Sequence, residues 1–430
     1  MKPLAPRLAD AAEGFLGELP LRLRAWDGSE TGPAQAPVVV LRSSRALRRL
    51  LWQPGELGLA QAYITGDLDL EGDLSAGLSA AWRAVRERRP HSGRRVPHRH
   101  LTAALTALRC GAVGPRPPAP GVAQARLRGK LHSTGRDRAA VSHHYDLSND
   151  WYALLMDESM AYSCAYWTRP DDPQYSLADA QRDKLHLVCR KLALEPGARL
   201  LDVGCGWGSL SLHAAQHYGA RVTAVTLSRE QRDFVVARVR ERGLDDLVQV
   251  HLRHYRELEG ADYDAVCAIE MGEHVGEAAY PDFAARLHSQ LRPGGRLLIQ
   301  QMSRGTSAPG GGAFIEAYIA PDMHMRPLGE TVALLENAGL EVRAVESLRE
   351  HYVRTIAAWY ATLEERWADF VALAGQETAR VWRLYLAGSG LAFAERRMGV
   401  DQILAVRPGH DGASHMPAVP HRWYGPQEPS

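Results

Sequence analysis

The stretch Leu200-Leu201-Asp202-Val203-Gly204-Cys205-Gly206-Trp207-Gly208 constrains this chain more than any other. A short apolar run ends in an acid and opens directly into three alternate glycines. Glycines there let backbone approach a ligand closely, and free N–H groups at the start of a following helix favour polar partners. The surrounding sequence supplies the strands and helices that such a loop joins. Apolar runs at residues 199–203, 221–226, 248–252, 263–269, 296–302 and 340–347 alternate with amphipathic stretches such as 209–218, 230–242 and 280–291. That alternation predicts an α/β fold built on a doubly wound, parallel sheet.

A glycine loop alone is weak testimony to a ligand, because many nucleotide folds have one. Two details narrow it. The spacing is Gly-x-Gly-x-Gly with an acid before it, whereas dinucleotide enzymes use Gly-x-Gly-x-x-Gly. Further on, Leu291-Arg292-Pro293-Gly294-Gly295-Arg296-Leu297 reads as a helix end, a Pro-Gly-Gly turn and a strand. Together they predict a class I, Rossmann-like methyltransferase domain that binds S-adenosylmethionine. The second strand ends Val225-Thr226-Leu227-Ser228-Arg229-Glu230-Gln231, without the acid that commonly holds ribose hydroxyls. Thr226 and Gln231 are the substitute polar contacts, and Ser228 reads as a helix N-cap.

The rest of the chain is organised around this domain. Residues 1–82 read as a small N-terminal α+β domain, with a strand at 37–41, a helix at 44–51 and a turn into a helix at 55–63. Residues 83–140 read as a basic linker. Roughly fourteen Lys or Arg face about two acids there, although the whole chain carries a net charge of only +1. A helix is expected at 101–108, and the Pro-rich run 115–120 is not regular structure. Such a segment is either a solvated linker or a surface for phosphates, on anionic lipid or nucleic acid. The methyltransferase domain with its added helices (355–374 and 378–397) is expected over 141–408, and a disordered tail over 409–430. Trp359, Tyr360, Trp367, Trp382 and Tyr385 fall at helical spacings and read as core.

No apolar run approaches the ~18–20 residues needed to cross a bilayer. The first residues do not form a signal peptide. Five cysteines without a Cys-x-x-Cys pair argue against a zinc site and against a disulfide framework, and point to a reducing cytoplasm.

Several ordered motifs carry a resemblance. They are His144-Tyr145-Asp146-Leu147-Ser148-Asn149-Asp150, Met160-Ala161-Tyr162-Ser163-Cys164-Ala165-Tyr166-Trp167, Ala180-Gln181 with Lys184-Leu185, residues 222–228, and Glu273-His274-Val275-Gly276. Over about 141–408 the chain resembles the cyclopropane-fatty-acyl-phospholipid synthases and mycolic acid methyltransferases. The resemblance implies methyl transfer from S-adenosylmethionine to a cis double bond of a lipid acyl chain. It implies cofactor contacts at Tyr162, Ser163, Gly204, Gly206, Thr226, Leu227, Gln231, Tyr255 and Ile269. It also implies a bicarbonate ion as base, held by Cys164 and Met302 through backbone and by Glu273, Gln300 and Tyr352. Its partners are a phospholipid membrane surface, on the inner face of the cell membrane, and an unsaturated acyl chain. A base-reading motif such as Asn-Pro-Pro-Tyr is missing, which argues against nucleic acid.

The chemistry is demanding. Methyl addition to an alkene leaves a carbocation that must be shielded from water, stabilised by negative charge or aromatic faces, and deprotonated by a positioned base. Direct loss of a proton from the new methyl closes a cyclopropane, and loss after a hydride shift leaves an exocyclic methylene. Two departures from the family pattern bear on the base. The usual Gly-x-Phe-Glu-His is Glu270-Met271-Gly272-Glu273-His274 here, and the usual Leu-His-Thr-Ile is Ile299-Gln300-Gln301-Met302. Gln300 keeps donor and acceptor groups but does not titrate. Glu270 reads either as a catalytic carboxylate or as a cofactor contact or helix cap. The pattern resembles the actinobacterial enzymes that make the 10-methylene precursor of 10-methylstearate from oleoyl phospholipid, which a separate reductase completes. Cyclopropane is the alternative product.

Overall fold

The computed structural model describes residues 3–16, 20–86, 110, 113–125, 127–144, 147–260, 262–305 and 310–424. The helix expected at 101–108, every basic residue between 87 and 109, and Tyr145 and Asp146 lie outside them. Contacts divide the chain into two compact units. One comprises Met1–Gln124, Gly312–Tyr318 and Leu363–Leu391, and the other Ala125–Gly311, Ile319–Thr362 and Ala392–Ser430. This division cuts across the expected boundaries, because most of the Gln376–Ala394 helix falls with the N-terminal residues.

The first unit holds a four-stranded sheet in the order β2-β1-β3-β4, from β1 (Arg22–Arg24), β2 (Glu30–Thr31), β3 (Val38–Leu41) and β4 (Leu68–Glu71). Its core includes Ala5, Leu8, Leu41, Ala46 and Ala62. Asp67 ties the elements together, accepting from Arg49 (3.0 Å), Arg45 (2.9 Å), Ser43 (3.0 Å) and Thr65 (3.0 Å).

The second unit holds the doubly wound sheet. Its strands are β5 (Arg199–Val203), β6 (Arg221–Thr226), β7 (Val248–Leu252), β8 (Tyr263–Ile269), β9 (Leu291–Ser303), β10 (Glu341–Ser347) and β11 (Gly399–Val406). They lie in the order β10-β11-β9-β8-β5-β6-β7. Strands β5 to β9 run parallel, and β11 is antiparallel to both of its neighbours. Successive residues of a strand feed opposite faces. Leu200, Ala265, Cys267, Leu298 and Leu404 join one apolar layer, while Leu201, Val266, Ala268, Ile299 and Ile403 join the other. Burial on both faces explains why β5, β8 and β9 carry largely apolar runs. The chain moves outward from β5 to β7 and then returns to β8, beside β5. The carboxyl ends of β5 and β8 therefore flank the switch point, where such sheets open a crevice.

Four expectations change. The Pro-Gly-Gly turn lies inside β9 as a bulge: Tyr263 pairs with Leu291 but Ala265 pairs with Arg296, and Gly294 takes φ 78°. The helix expected over 355–374 is two, Arg349–Glu365 and Trp367–Ala374, because Arg366 (φ −104°, ψ 26°) leaves the helical well. Strand β11 was not expected at all. Residues 409–424, expected to be without order, are anchored by Trp423, which is buried in the second unit's core. Its Nε1 donates to the Pro417 carbonyl (2.6 Å), and its own carbonyl accepts from Arg296 (2.7 Å).

Candidate active site

A cavity opens at the switch point. The loop after β5 forms its floor, with Gly204 at φ 84° and Gly208 at φ 79°. A Cβ on Gly204 would lie 2.9 Å from Met271, and one on Gly208 would lie 2.7 Å from Val235. Only glycine satisfies both the backbone and the space. Gly208 starts the helix Ser209–Tyr218, whose Ser211 hydroxyl donates to Asp202 (2.6 Å). Burial pushes the Asp202 carboxyl up to about 6.

All nine expected cofactor positions line this one cavity. Thr226 donates to Gln231 Oε1 (2.8 Å), which leaves the buried Gln231 Nε2 without a partner. Ser228 caps the Arg229–Glu241 helix as expected, accepting from Gln231 N (3.1 Å). Leu227, Tyr255 and Ile269 complete that wall, and Gly206 lies on the floor. Tyr162 and Ser163 stand opposite on a segment held by the Leu177–Lys191 helix, which begins in a capping box of Ser176 and Asp179. Gln181 Nε2 donates to the carbonyls of Ala161 (3.1 Å) and Ser163 (2.9 Å). Lys184 Nζ donates to Ser163 Oγ (3.0 Å), and burial lowers its pKa. Lys184 and Asp202 line the cavity and were not among the expected site residues. A lysine that recurs on the buried face of an amphipathic helix was the available signal for the first.

The expected catalytic residues form two linked groups. Cys164, Gln300 and Tyr352 converge on Glu270. Its Oε1 accepts from Cys164 N (2.7 Å) and Gln300 Nε2 (2.9 Å), and its Oε2 from Tyr352 OH (2.7 Å). Glu270 follows β8 at φ 49°, a left-handed conformation rare outside glycine, and its N–H donates to the Gln300 carbonyl (2.6 Å). Glu273 and Met302 form the second group: Met302 N donates to Glu273 Oε1, while Oε2 has no partner. Burial, and then the charge of Glu270, push the Glu273 carboxyl up to about 8. Burial also raises Glu270, but its three donors oppose that shift. The two carboxyls thus oppose each other's ionisation, and the three donors favour the charged form of Glu270 over that of Glu273. His274 is held neutral, lowered to about 4 by burial.

Aromatic rings surround the region. Tyr162 stacks near Trp359 (5.2 Å) and Tyr152 (5.8 Å), Tyr152 against Trp207 (4.4 Å), and Tyr352 against Phe393 (4.6 Å). Trp359, read from sequence as core, is buried and is also part of this cluster. In the basic segment, Arg136 is already paired with Asp322 (2.6 Å) and is not a free surface charge.

Comparisons with known proteins point to one family. A family model described as mycolic acid cyclopropane synthetase matches residues 132–403. A probable fatty acid methyltransferase of Mycobacterium tuberculosis is 38% identical over 95% of this chain and 96% of its own length. A tuberculostearic acid methyltransferase of the same organism is 32% identical over 95% and 93%. A solved mycolic acid cyclopropane synthase, complexed with SAH and CTAB, superposes with a TM-score of 0.58 at 30% identity, covering 62% of this chain and 97% of that one.

Proposed function

The chain belongs to the mycolic acid cyclopropane synthetase family, and from that premise we propose that it methylates the cis double bond of unsaturated acyl chains in phospholipids. It is an S-adenosylmethionine-dependent methyltransferase that modifies unsaturated acyl chains. The specific product proposed is the 10-methylene derivative of an oleoyl chain, precursor of 10-methylstearate, with cyclopropane as the alternative. The observation that carries the reading is Glu270, a carboxylate that lines a glycine-floored cavity and is held by three donors, beside a cluster of aromatic rings.

The residues present fit S-adenosylmethionine. The unpartnered Gln231 Nε2 and the hydroxyls of Thr226 and Tyr255 suit ribose and amino-acid groups, and the glycine floor suits close approach. When bound, this cofactor supplies an electrophilic methyl group on a sulfonium. Tyr162, Tyr352 and Trp359 offer π faces to positive charge that develops on the acyl chain. Burial keeps water from that charge. Glu270 places a carboxyl group at that wall, which the donors Cys164 N, Gln300 and Tyr352 orient in advance. Gln300 does not titrate, so it holds the carboxylate without competing for its proton.

Among the described residues no helix is long and apolar enough to cross a membrane. The enzyme docks on the inner face of the cell membrane through the basic segment, at ~1 kcal/mol per Lys or Arg near an anionic surface. A separate reductase acts on the product. Liposome binding is expected to weaken as salt rises, and salt-insensitive binding refutes the docking. The substrate is tested by incubation with S-adenosylmethionine and oleoyl phospholipid, followed by mass spectrometry of the fatty acids. Methylene and cyclopropane products have equal mass, so double-bond-specific derivatisation separates them. A fatty acid mass that does not rise by one CH₂ refutes the reading.

A further inference from the structure

We propose that Glu270 is the base of this reaction, built into the chain where the resemblance calls for a bicarbonate ion, and that the enzyme needs no dissolved anion. The inference rests on the function proposed above and deepens it.

The donor set carries the argument. Cys164 N, Gln300 and Tyr352 are three of the five groups assigned to bicarbonate, and all three donate to Glu270. The remaining two, Met302 N and Glu273, bond to each other. A bicarbonate ion placed there would find those donors occupied and a carboxylate against it. Bicarbonate does not fit this site.

The backbone and the network behind it have the same effect. At φ 49° the chain turns at the end of β8 in a way that non-glycine residues rarely accept. Register pairs Ile269 with Gln300 and Gln300 with Gln402, so three strands bring their side chains to one line. Lys191 Nζ has only donors, and it gives one to Gln402 Oε1 (2.7 Å). Gln402 Nε2 must then donate to Gln300 Oε1 (2.9 Å), which turns Gln300 Nε2 toward Glu270 (2.9 Å). The ammonium at one end thus fixes the sense of every bond, and the carboxylate at the other is the acceptor. Glu270 also lines the cavity, where the proposal places the reacting chain.

The step balances as follows. The alkene π pair forms the bond to the incoming methyl carbon, and the pair of the broken C–S bond stays on sulfur. The neighbouring acyl carbon becomes a cation. A C–H bond of the added methyl then breaks and its proton goes to Glu270. Its electron pair closes the ring or, after a 1,2-hydride shift, forms the exocyclic double bond. Glu270, now a neutral acid, releases the proton to solvent after the product leaves.

The test uses the full chain with oleoyl phospholipid vesicles and S-adenosylmethionine in carbonate-free buffer, with and without added bicarbonate. Wild-type turnover is expected to be the same in both. Glu270→Gln should lose at least about 100-fold in turnover, and calorimetry on the same variant checks that it still binds the cofactor. Glu270→Gly suits the left-handed backbone and opens the donor set, so added bicarbonate or formate should restore at least tenfold of its lost turnover (about 1.4 kcal/mol of barrier). Glu270→Gln fills the same space and should not respond. Wild-type turnover that collapses without bicarbonate, or a Glu270→Gln variant that stays fully active, overturns the assignment while leaving the proposed function standing. Wild-type enzyme that binds cofactor but never methylates lipid overturns both.

Discussion

Gly272 and Gln301 should behave as one unit in folding. A Cβ on Gly272 would lie 2.1 Å from Gln301 Oε1 and 3.0 Å from its Cδ, so Gly272→Ala must displace the carboxamide. That carboxamide is buried, accepts from Tyr280 OH (2.6 Å) and donates to Thr331 Oγ1 (3.1 Å). Breaking both bonds strands two buried partners, at ~1–2 kcal/mol each, so Gly272→Ala should cost ~2–4 kcal/mol. Gln301→Thr removes the same bonds and leaves a small void, and should cost a similar ~2–4 kcal/mol. In the double variant the bonds are lost only once and the alanine methyl enters vacated space. Its cost should match one single variant, giving a coupling of ~2–3 kcal/mol. The assay is urea unfolding of all four proteins at pH 7, followed by tryptophan fluorescence. Additivity within about 0.5 kcal/mol refutes the reasoning. The related enzymes usually place Phe and Thr at these two positions, which is the opposite division of the same space.

Other expectations are simpler. Gly208→Ala puts a Cβ 2.7 Å from Val235 at φ 79° and should destabilise by ~1–3 kcal/mol while weakening cofactor binding in calorimetry; unchanged affinity argues against the loop as the cofactor's floor. Tyr352→Phe removes one of Glu270's three donors and should lower kcat by about tenfold or more without changing cofactor affinity. Glu273, raised from the ordinary 4.5 to about 8, binds more protons folded than unfolded between those values. Its contribution to stability is intact below pH ~4.5 and is lost as pH rises toward ~8, by up to ~4 kcal/mol. Glu273→Gln should flatten that slope, so parallel pH profiles for variant and wild type count against the buried, protonated Glu273.

Strands β5, β6, β8 and β9 were legible because parallel strands covered on both faces read as apolar runs, and the exposed edge strand β7 was read from its alternating valines. Strand β11 was not, because Asp401 and Gln402 interrupt it. Both polar residues are there for partners that lie far off in sequence: Ser303 donates to Asp401 (2.6 Å), and Lys191 donates to Gln402. In the first unit β3 was read from its Val-Val-Val-Leu run, while β1, β2 and β4, of two to four residues, carry too little pattern. The tail misled because its composition is that of a loop, while one residue, Trp423, supplies the anchor. Sequence motifs named the residues that gather around Glu270 but not their wiring. That Glu270 meets Cys164, Gln300 and Tyr352 depends on the register of β8 with β9 and on a backbone angle, and neither is visible in residue order.

The left-handed backbone at Glu270 has an evolutionary consequence. Glutamate and glycine codons differ by one nucleotide, and glycine is the residue that tolerates φ 49° best. A single mutation at this codon therefore exchanges a tethered carboxylate for an open anion site without asking the fold to change. On the assignment proposed above, one position then separates a self-contained enzyme from one tied to ambient carbon dioxide, with a backbone that suits either residue.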